Sequence, residues 1–166
     1  MDTAAQSERA ASVPVNTPNT IEKTITLRAP RSRVWRALTD IREFCKWFRV
    51  STKEGAFAPG ARLYMTPDEE IGCGSFYVFV EDIQPEHLFS WRWHPGANDP
   101  DANYYTEPTT LVVFRLEDTT NGTKLTVTES GFTQISLARR AKVFHENTGG
   151  WEDQLNVLLK YVGQTS

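Results

Sequence analysis

Between residues 137 and 162, the positions Leu137, Ala141, Phe144, Thr148, Trp151, Leu155, Leu158 and Val162 are separated by 4, 3, 4, 3, 4, 3 and 4 residues. That spacing draws one stripe down the side of an α-helix. The stripe needs a partner surface, and the sequence upstream supplies it. There the apolar period changes to two, the signature of strands. "TIEKTITL", "ARLYMTP", "SFYVFVEDI", "HLFSWRW", "TTLVVFRLED" and "TKLTVTES" each read as a strand. Asn121-Gly122 joins the last two and predicts a hairpin. Between the first strand and the rest, Val34, Trp35 and Leu38 predict a short helix over about residues 30 to 39, with Pro30 as its first residue. Thr39-Asp40 predicts the cap of a second short helix carrying Ile41, Phe44 and Cys45.

The expected fold class is therefore α+β. A curved antiparallel sheet of six to seven strands wraps around one long C-terminal helix, with two short helices after the first strand. One helix about 10 Å wide cannot fill the inside of such a sheet, which points to an internal cavity. The chain's 9 Phe, 5 Tyr and 5 Trp are numerous enough to wall it. The expected organisation is a flexible tail over residues 1–19, one domain over 20–163, and a short end over 164–166.

Several function classes are disfavoured. A net charge of −3 gives no reason to expect nucleic acid. No apolar run approaches the ~20 residues of a membrane span, and the N-terminus lacks an apolar signal core. Cys45 and Cys73 form no metal or redox motif and suit a reducing cytoplasm, the expected location. His145-Glu146 is followed by Gly149 where a zincin helix needs a second histidine, so no metal is expected. Gly72-Cys73-Gly74 precedes a strand rather than a helix, so it reads as a turn and not a phosphate cradle. No cofactor is expected.

Period two puts Phe89, Trp91 and Trp93 on one strand face, and Phe114 shares a face with Leu116 on the next. These residues read either as core or as the lining of a cavity. Arg62, Tyr64, Tyr77, Glu81, Arg92, Arg115 and Glu129 interleave with apolar positions, and alternation sends most of them to solvent. A member that instead turned into an apolar pocket would be a candidate acid or base.

"ITLRAPRSRVWRALTDIREFCKWF", "DIQPEHLFSWRW", "NGTKLTVTESGF" and "GGWEDQLNVL" together resemble START-like (helix-grip) proteins. The branch they resemble is that of the C-terminal domain of the activator of the heat-shock-protein-90 ATPase. The residues that carry the resemblance are Ala29-Pro30, Val34-Trp35, Leu38-Thr39-Asp40, Trp47-Phe48, Pro85, Leu88, Gly131-Phe132, Gly150, Trp151 and Leu155. The resemblance implies a deep apolar pocket between sheet and last helix. It also spans several roles: hydrophobic-ligand binders, cyclases and co-chaperone domains.

The leading expectation is a binding module for a small hydrophobic molecule. Trp91, Trp93, Phe114 and Trp151 would form the wall, with Tyr64 or Tyr77 as polar handle. One alternative is a cyclase- or hydrolase-like enzyme using Glu81, Glu129 or Arg92. Another is a co-chaperone-like interaction domain, with a homodimer or a chaperone contact as partner. Gly149 and Gly150 sit inside the best helix, where each costs roughly 1 kcal/mol relative to alanine. Either the helix runs through them and bends, or it ends there with a left-handed glycine and restarts. The resemblance favours the continuous helix.

Overall fold

A computed structural model describes residues 17–71, 74–96, 104 and 106–164. Most of the expected tail, Gly72 and Cys73 of the expected turn, and residues 97–103 and 105 of the long loop expected after Trp93 lie outside these residues. Of the expected tail, Asn19 is within them. Its carbonyl accepts the Gly131 and Phe132 N–H groups, and its side chain accepts the Thr133 N–H.

The chain builds an α+β layer structure. Its strands are β1 (Thr20–Leu27), β2 (Val50–Ser51), β3 (Arg62–Pro67), β4 (Phe76–Gln84), β5 (Leu88–Trp93), β6 (Thr110–Thr119) and β7 (Gly122–Ser130). They form one sheet in the order β1-β7-β6-β5-β4-β3-β2, and each pair is antiparallel. Helices α1 (Arg31–Thr39) and α2 (Ile41–Phe48) bridge β1 to β2, and α3 (Leu137–Gln164) closes the chain. Sequence periodicity located six of the strands. The two-residue β2 is too short to show a period.

Local chemistry explains the joints. Asp40 caps α2, its carboxylate accepting from the Arg42 and Glu43 N–H groups at 2.9 and 3.2 Å. The backbone bond from Glu43 is the leading reason that the Asp40 carboxyl is held below its ordinary range. Pro30 stands one residue outside α1, at the cap position. A bulge between Val80 and Ile83 puts Glu81 and Asp82 opposite Ser90, which bends the sheet. The Asp82 N–H donates to Ser90 Oγ at 3.1 Å, so the buried serine is satisfied.

The β6–β7 hairpin turns one residue earlier than Asn121-Gly122 suggests, because Gly122 already pairs with Thr119. Gly122 has no positive φ, and a Cβ there would lie 2.0 Å from the Leu27 carbonyl oxygen. Close approach of β1, not turn geometry, requires this glycine.

The core lies between the inner sheet face and the three helices. Leu27, Val34, Leu38, Phe44, Leu63, Phe89, Trp91, Phe114, Leu125 and Leu158 are buried there. Glu43 joins all three helices. It pairs with Arg33 at 2.9 Å and Arg36 at 2.8 Å, and accepts from the Tyr161 hydroxyl at 2.9 Å. Burial alone would raise the Glu43 pKa, but the bonds from Tyr161 and Arg36 and the charge of Arg33 outweigh it and hold it below the ordinary value.

Helix α3 is continuous for 28 residues, roughly 42 Å, so no left-handed cap interrupts it. Its inner face departs from the apolar stripe at the N-terminal end. Leu137 and Ala141 are exposed, and Val143 is buried in their place. From Trp151 onward the stripe holds, with Trp151, Leu155, Leu158 and Val162 buried. Among the described residues no helix is long and apolar enough to cross a membrane.

Candidate functional site

Glu129 organises the site. It follows Leu125 and Val127 along the inner face of β7 and is 0% exposed. Its two oxygens accept from four side chains. Trp93 Nε1 (2.8 Å) and Thr110 Oγ1 (2.5 Å) donate to Oε2, and Trp151 Nε1 (2.8 Å) donates to Oε1. Asn147 Nδ2 reaches both oxygens, at 2.9 and 3.2 Å. Trp93 comes from β5, Thr110 from β6, and Asn147 and Trp151 from α3, so one carboxylate ties sheet to helix. All four donors are uncharged. A buried carboxylate is tolerated where its lone pairs are filled in this way.

In front of this network lies a cavity of about 590 Å³. Its aromatic wall is Trp47, Phe48, Phe76, Trp93 and Trp151, and its rim includes Arg49, Glu146, Asp153 and Gln154. The ring centroids of Trp93 and Trp151 are 5.8 Å apart, and Phe76 meets Trp93 edge-on at 5.6 Å. Trp47 Nε1 donates to the Ala37 carbonyl at 2.8 Å, so this indole also turns its N–H away from the cavity.

The lip of the cavity is the start of the β5–β6 loop at His94, Pro95 and Gly96. Arg139 of α3 fastens it. Its guanidinium donates to the Pro95 and Gly96 carbonyls at 2.9 Å each and pairs with Glu107 at the loop's far end. Tyr104 Oη donates to the Gly96 carbonyl at 2.8 Å, and His94 Nε2 lies 3.0 Å from the Glu107 carbonyl. Gly96 has φ +63, and a Cβ there would sit 2.7 Å from Val143 Cγ1, so the lip packs directly on the helix.

The residues expected from sequence separate into three groups. Trp93 and Trp151 line the cavity. Trp91 and Phe114 are fully buried one layer behind them, 5.1 Å apart in a continuous cluster of rings. The interior of the sheet is therefore filled at this point, and the open space lies nearer its β2–β4 end. Tyr64 and Tyr77, expected as polar handles, are 45% and 41% exposed, and their rings meet at a tilt with centroids 4.8 Å apart. Their neighbours Leu63, Met65 and Val78 occupy the inner face, so alternation sends both tyrosines to the outer one.

The acid–base candidates separate as well. Glu81 and Arg92 pair with each other at 2.8 Å with their side chains about half exposed, and Arg62 lies over the Tyr77 ring. Arg115 is exposed. Glu129 is the exception to the expected solvent side. The Cys45 thiol is partly buried, which pushes its pKa up, the wrong direction for a nucleophile.

Asn147, Thr110, Arg139 and Glu107 were not legible as site residues. The available signal was Glu129, a charge in register with Leu125 and Val127. A buried carboxylate there demands donors from whatever packs over it.

Gly149 and Gly150 lie within α3, and a Cβ at either would meet nothing within 4 Å. Gly150 lines the cavity; Gly149 does not. Gly149→Ala and Gly150→Ala are each expected to raise stability by up to about 1 kcal/mol through helix propensity. A thermal melt checks this, and destabilisation would indicate strain that this backbone does not show.

Solved structures share this fold. Protein MLL2253 from Mesorhizobium loti is 24% identical, with a TM-score of 0.71 over 89% of this chain and 98% of that one. The Aha1 dimer from Colwellia psychrerythraea is 18% identical, with a TM-score of 0.67 over 86% and 95%. CalU16 from Micromonospora echinospora is 20% identical, with a TM-score of 0.63 over 86% and 75%. A search of curated proteins gave no match. The model of one family, described as Activator of Hsp90 ATPase homolog 1-like protein, matches residues 28–163. That span runs from the end of β1 to the last turn of α3, and the chain belongs to this family, with its START-like helix-grip fold.

Proposed function

We propose that this chain is a binding module for a small apolar or amphipathic molecule seated between Trp93, Trp151, Phe48 and Phe76. The observation that carries the reading is a cavity of about 590 Å³ with an aromatic wall, a size and lining typical of small-molecule sites. Its indole N–H groups are satisfied elsewhere, so the wall offers ring surface at no cost in unpaired donors. Burial of apolar ligand surface at ~25 cal/mol/Å² would drive binding.

An enzyme on the same cavity would draw its acid or base from the lip and rim, at His94, Glu146 or Asp153, rather than from the residues expected for it. Glu129 has both oxygens engaged behind the wall, and Glu81 and Arg92 sit on the other side of the sheet. The Aha1 protein from Colwellia psychrerythraea, which shares the fold, is a dimer in its solved structure.

The test is a titration of N-phenylnaphthylamine, an uncharged dye that brightens in apolar surroundings. Saturable enhancement with about one site per chain is expected. No saturation from a chain with intact near-UV circular dichroism would rule the pocket out as a ligand site.

A further inference from the structure

The hydrogen-bonding groups of the cavity are unequally divided. Its indole and guanidinium donors are engaged elsewhere. Trp47 Nε1 bonds the Ala37 carbonyl, and Trp93 Nε1 and Trp151 Nε1 bond Glu129, each at 2.8 Å. Arg49, the guanidinium at the rim, pairs with Asp68 at 3.5 Å and with Glu70. The Asn147 amide is fixed in orientation. A flipped amide would bring its oxygen against the Glu129 carboxylate, so the two bonds from Nδ2 determine which way it points. Oδ1 is then the atom that Asn147 has left to present.

Beside the Gln154 amide, which can donate or accept, the cavity presents acceptors, negative charge and ring faces. Asn147 lines the cavity with Oδ1 as its remaining polar atom, and Glu146 and Asp153 add two carboxylates at the rim. Both project from the helix face that carries Gly150, where no side chain obstructs the approach. Glu129 adds a third carboxylate behind Trp93 and Trp151, with uncharged donors around it. The faces of tryptophan and phenylalanine attract cations through the ring quadrupole.

We propose that the ligand is an amphipathic organic cation. It has an aromatic or other apolar body that packs on Trp93 and Trp151, and an ammonium head that donates to Asn147 Oδ1 and is drawn by Glu146 and Asp153. A fatty acid or other anionic amphiphile is the wrong partner, because its head would meet acceptors and like charge. The proposal rests on the pocket reading and specifies the head group that the pocket selects.

The experiment displaces N-phenylnaphthylamine with three competitors that share one body: naphthylethylammonium, naphthylethanol and naphthylacetate. The ammonium is expected to bind at least roughly tenfold tighter than the carboxylate, with the alcohol between them. Raising the salt should narrow that ratio. The double variant Glu146→Gln/Asp153→Asn should reduce it to about threefold or less. Equal or tighter binding of naphthylacetate would overturn the proposal, as would a ratio that the double variant leaves unchanged. If the dye binds but the heads are not distinguished, the proposal fails and the pocket stands. If the dye does not bind, both fail.

Discussion

Glu129→Ala is expected to lower the unfolding free energy by about 3–4 kcal/mol. Each buried donor left without an acceptor costs roughly 1–3 kcal/mol. Four side chains lose their acceptor here: Trp93, Thr110, Asn147 and Trp151. The sum is less than four full penalties, because Asn147 and Trp93 are partly exposed and can turn to water, while Thr110 and Trp151 are buried. Glu129→Leu should cost nearly as much, since filling the space restores no acceptor. Glu129→Gln is the sharper probe. It keeps the shape but places an NH₂ group among donors, and should cost about 1–3 kcal/mol. Denaturant unfolding gives all three values. If none of the variants shifts the midpoint, the carboxylate does not hold sheet and helix together.

Trp151→Ala is expected to cost about 3–5 kcal/mol, the range for deleting a large buried aromatic. Trp151 is 3% exposed and packs against Phe114 at 5.7 Å, Trp93 at 5.8 Å and Phe48 at 6.4 Å. The variant also removes one of the donors to Glu129 Oε1. Trp151→Phe separates the two effects. It keeps most of the ring surface, loses the N–H, and should cost about 1–2 kcal/mol. An alanine variant within about 1 kcal/mol of the parent would mean that the wall is not packed as described.

The fold was legible because its signals are periodic. The switch from period two to the α3 stripe and the Asp40 cap each report a local geometry, and Asn121-Gly122 located the hairpin although its glycine answers to β1 rather than to the turn. The N-terminal half of α3 was misplaced for the same reason. Arg139, Val143, Asn147 and Trp151 follow one another at intervals of four, and Arg139 and Asn147 are polar. An apolar stripe passes over them and selects Leu137 and Ala141, which are exposed. Those two polar residues perform the work of the site, fastening the lip and filling the carboxylate.

The same trade-off governs the strands. Alternation would have turned Tyr64 and Tyr77 outward, and would have turned Glu129 inward with Leu125 and Val127. The general expectation that charges face solvent outweighed it at Glu129. "SFYVFV" is apolar on both faces and could not fix the register of β4 by itself. The position of the open space was not legible at all. It depends on how completely Trp91, Phe89, Phe114 and Phe44 fill the middle of the sheet, and that is a property of packing rather than pattern.

The claim that the Trp93–Trp151 cavity binds the ligand is tested most directly by adding one phenyl ring at two adjacent positions of α3. Gly150 lines the cavity and Gly149 does not, and a Cβ at either meets nothing within 4 Å. At position 150 the added ring gains by burying itself against the aromatic wall, where it competes with ligand. Gly150→Phe is expected to weaken N-phenylnaphthylamine binding at least roughly tenfold, a change of about 1.4 kcal/mol. Gly149→Phe is expected to leave it within about twofold. Equal losses in both variants, or no loss at Gly150→Phe in a folded protein, would contradict the account.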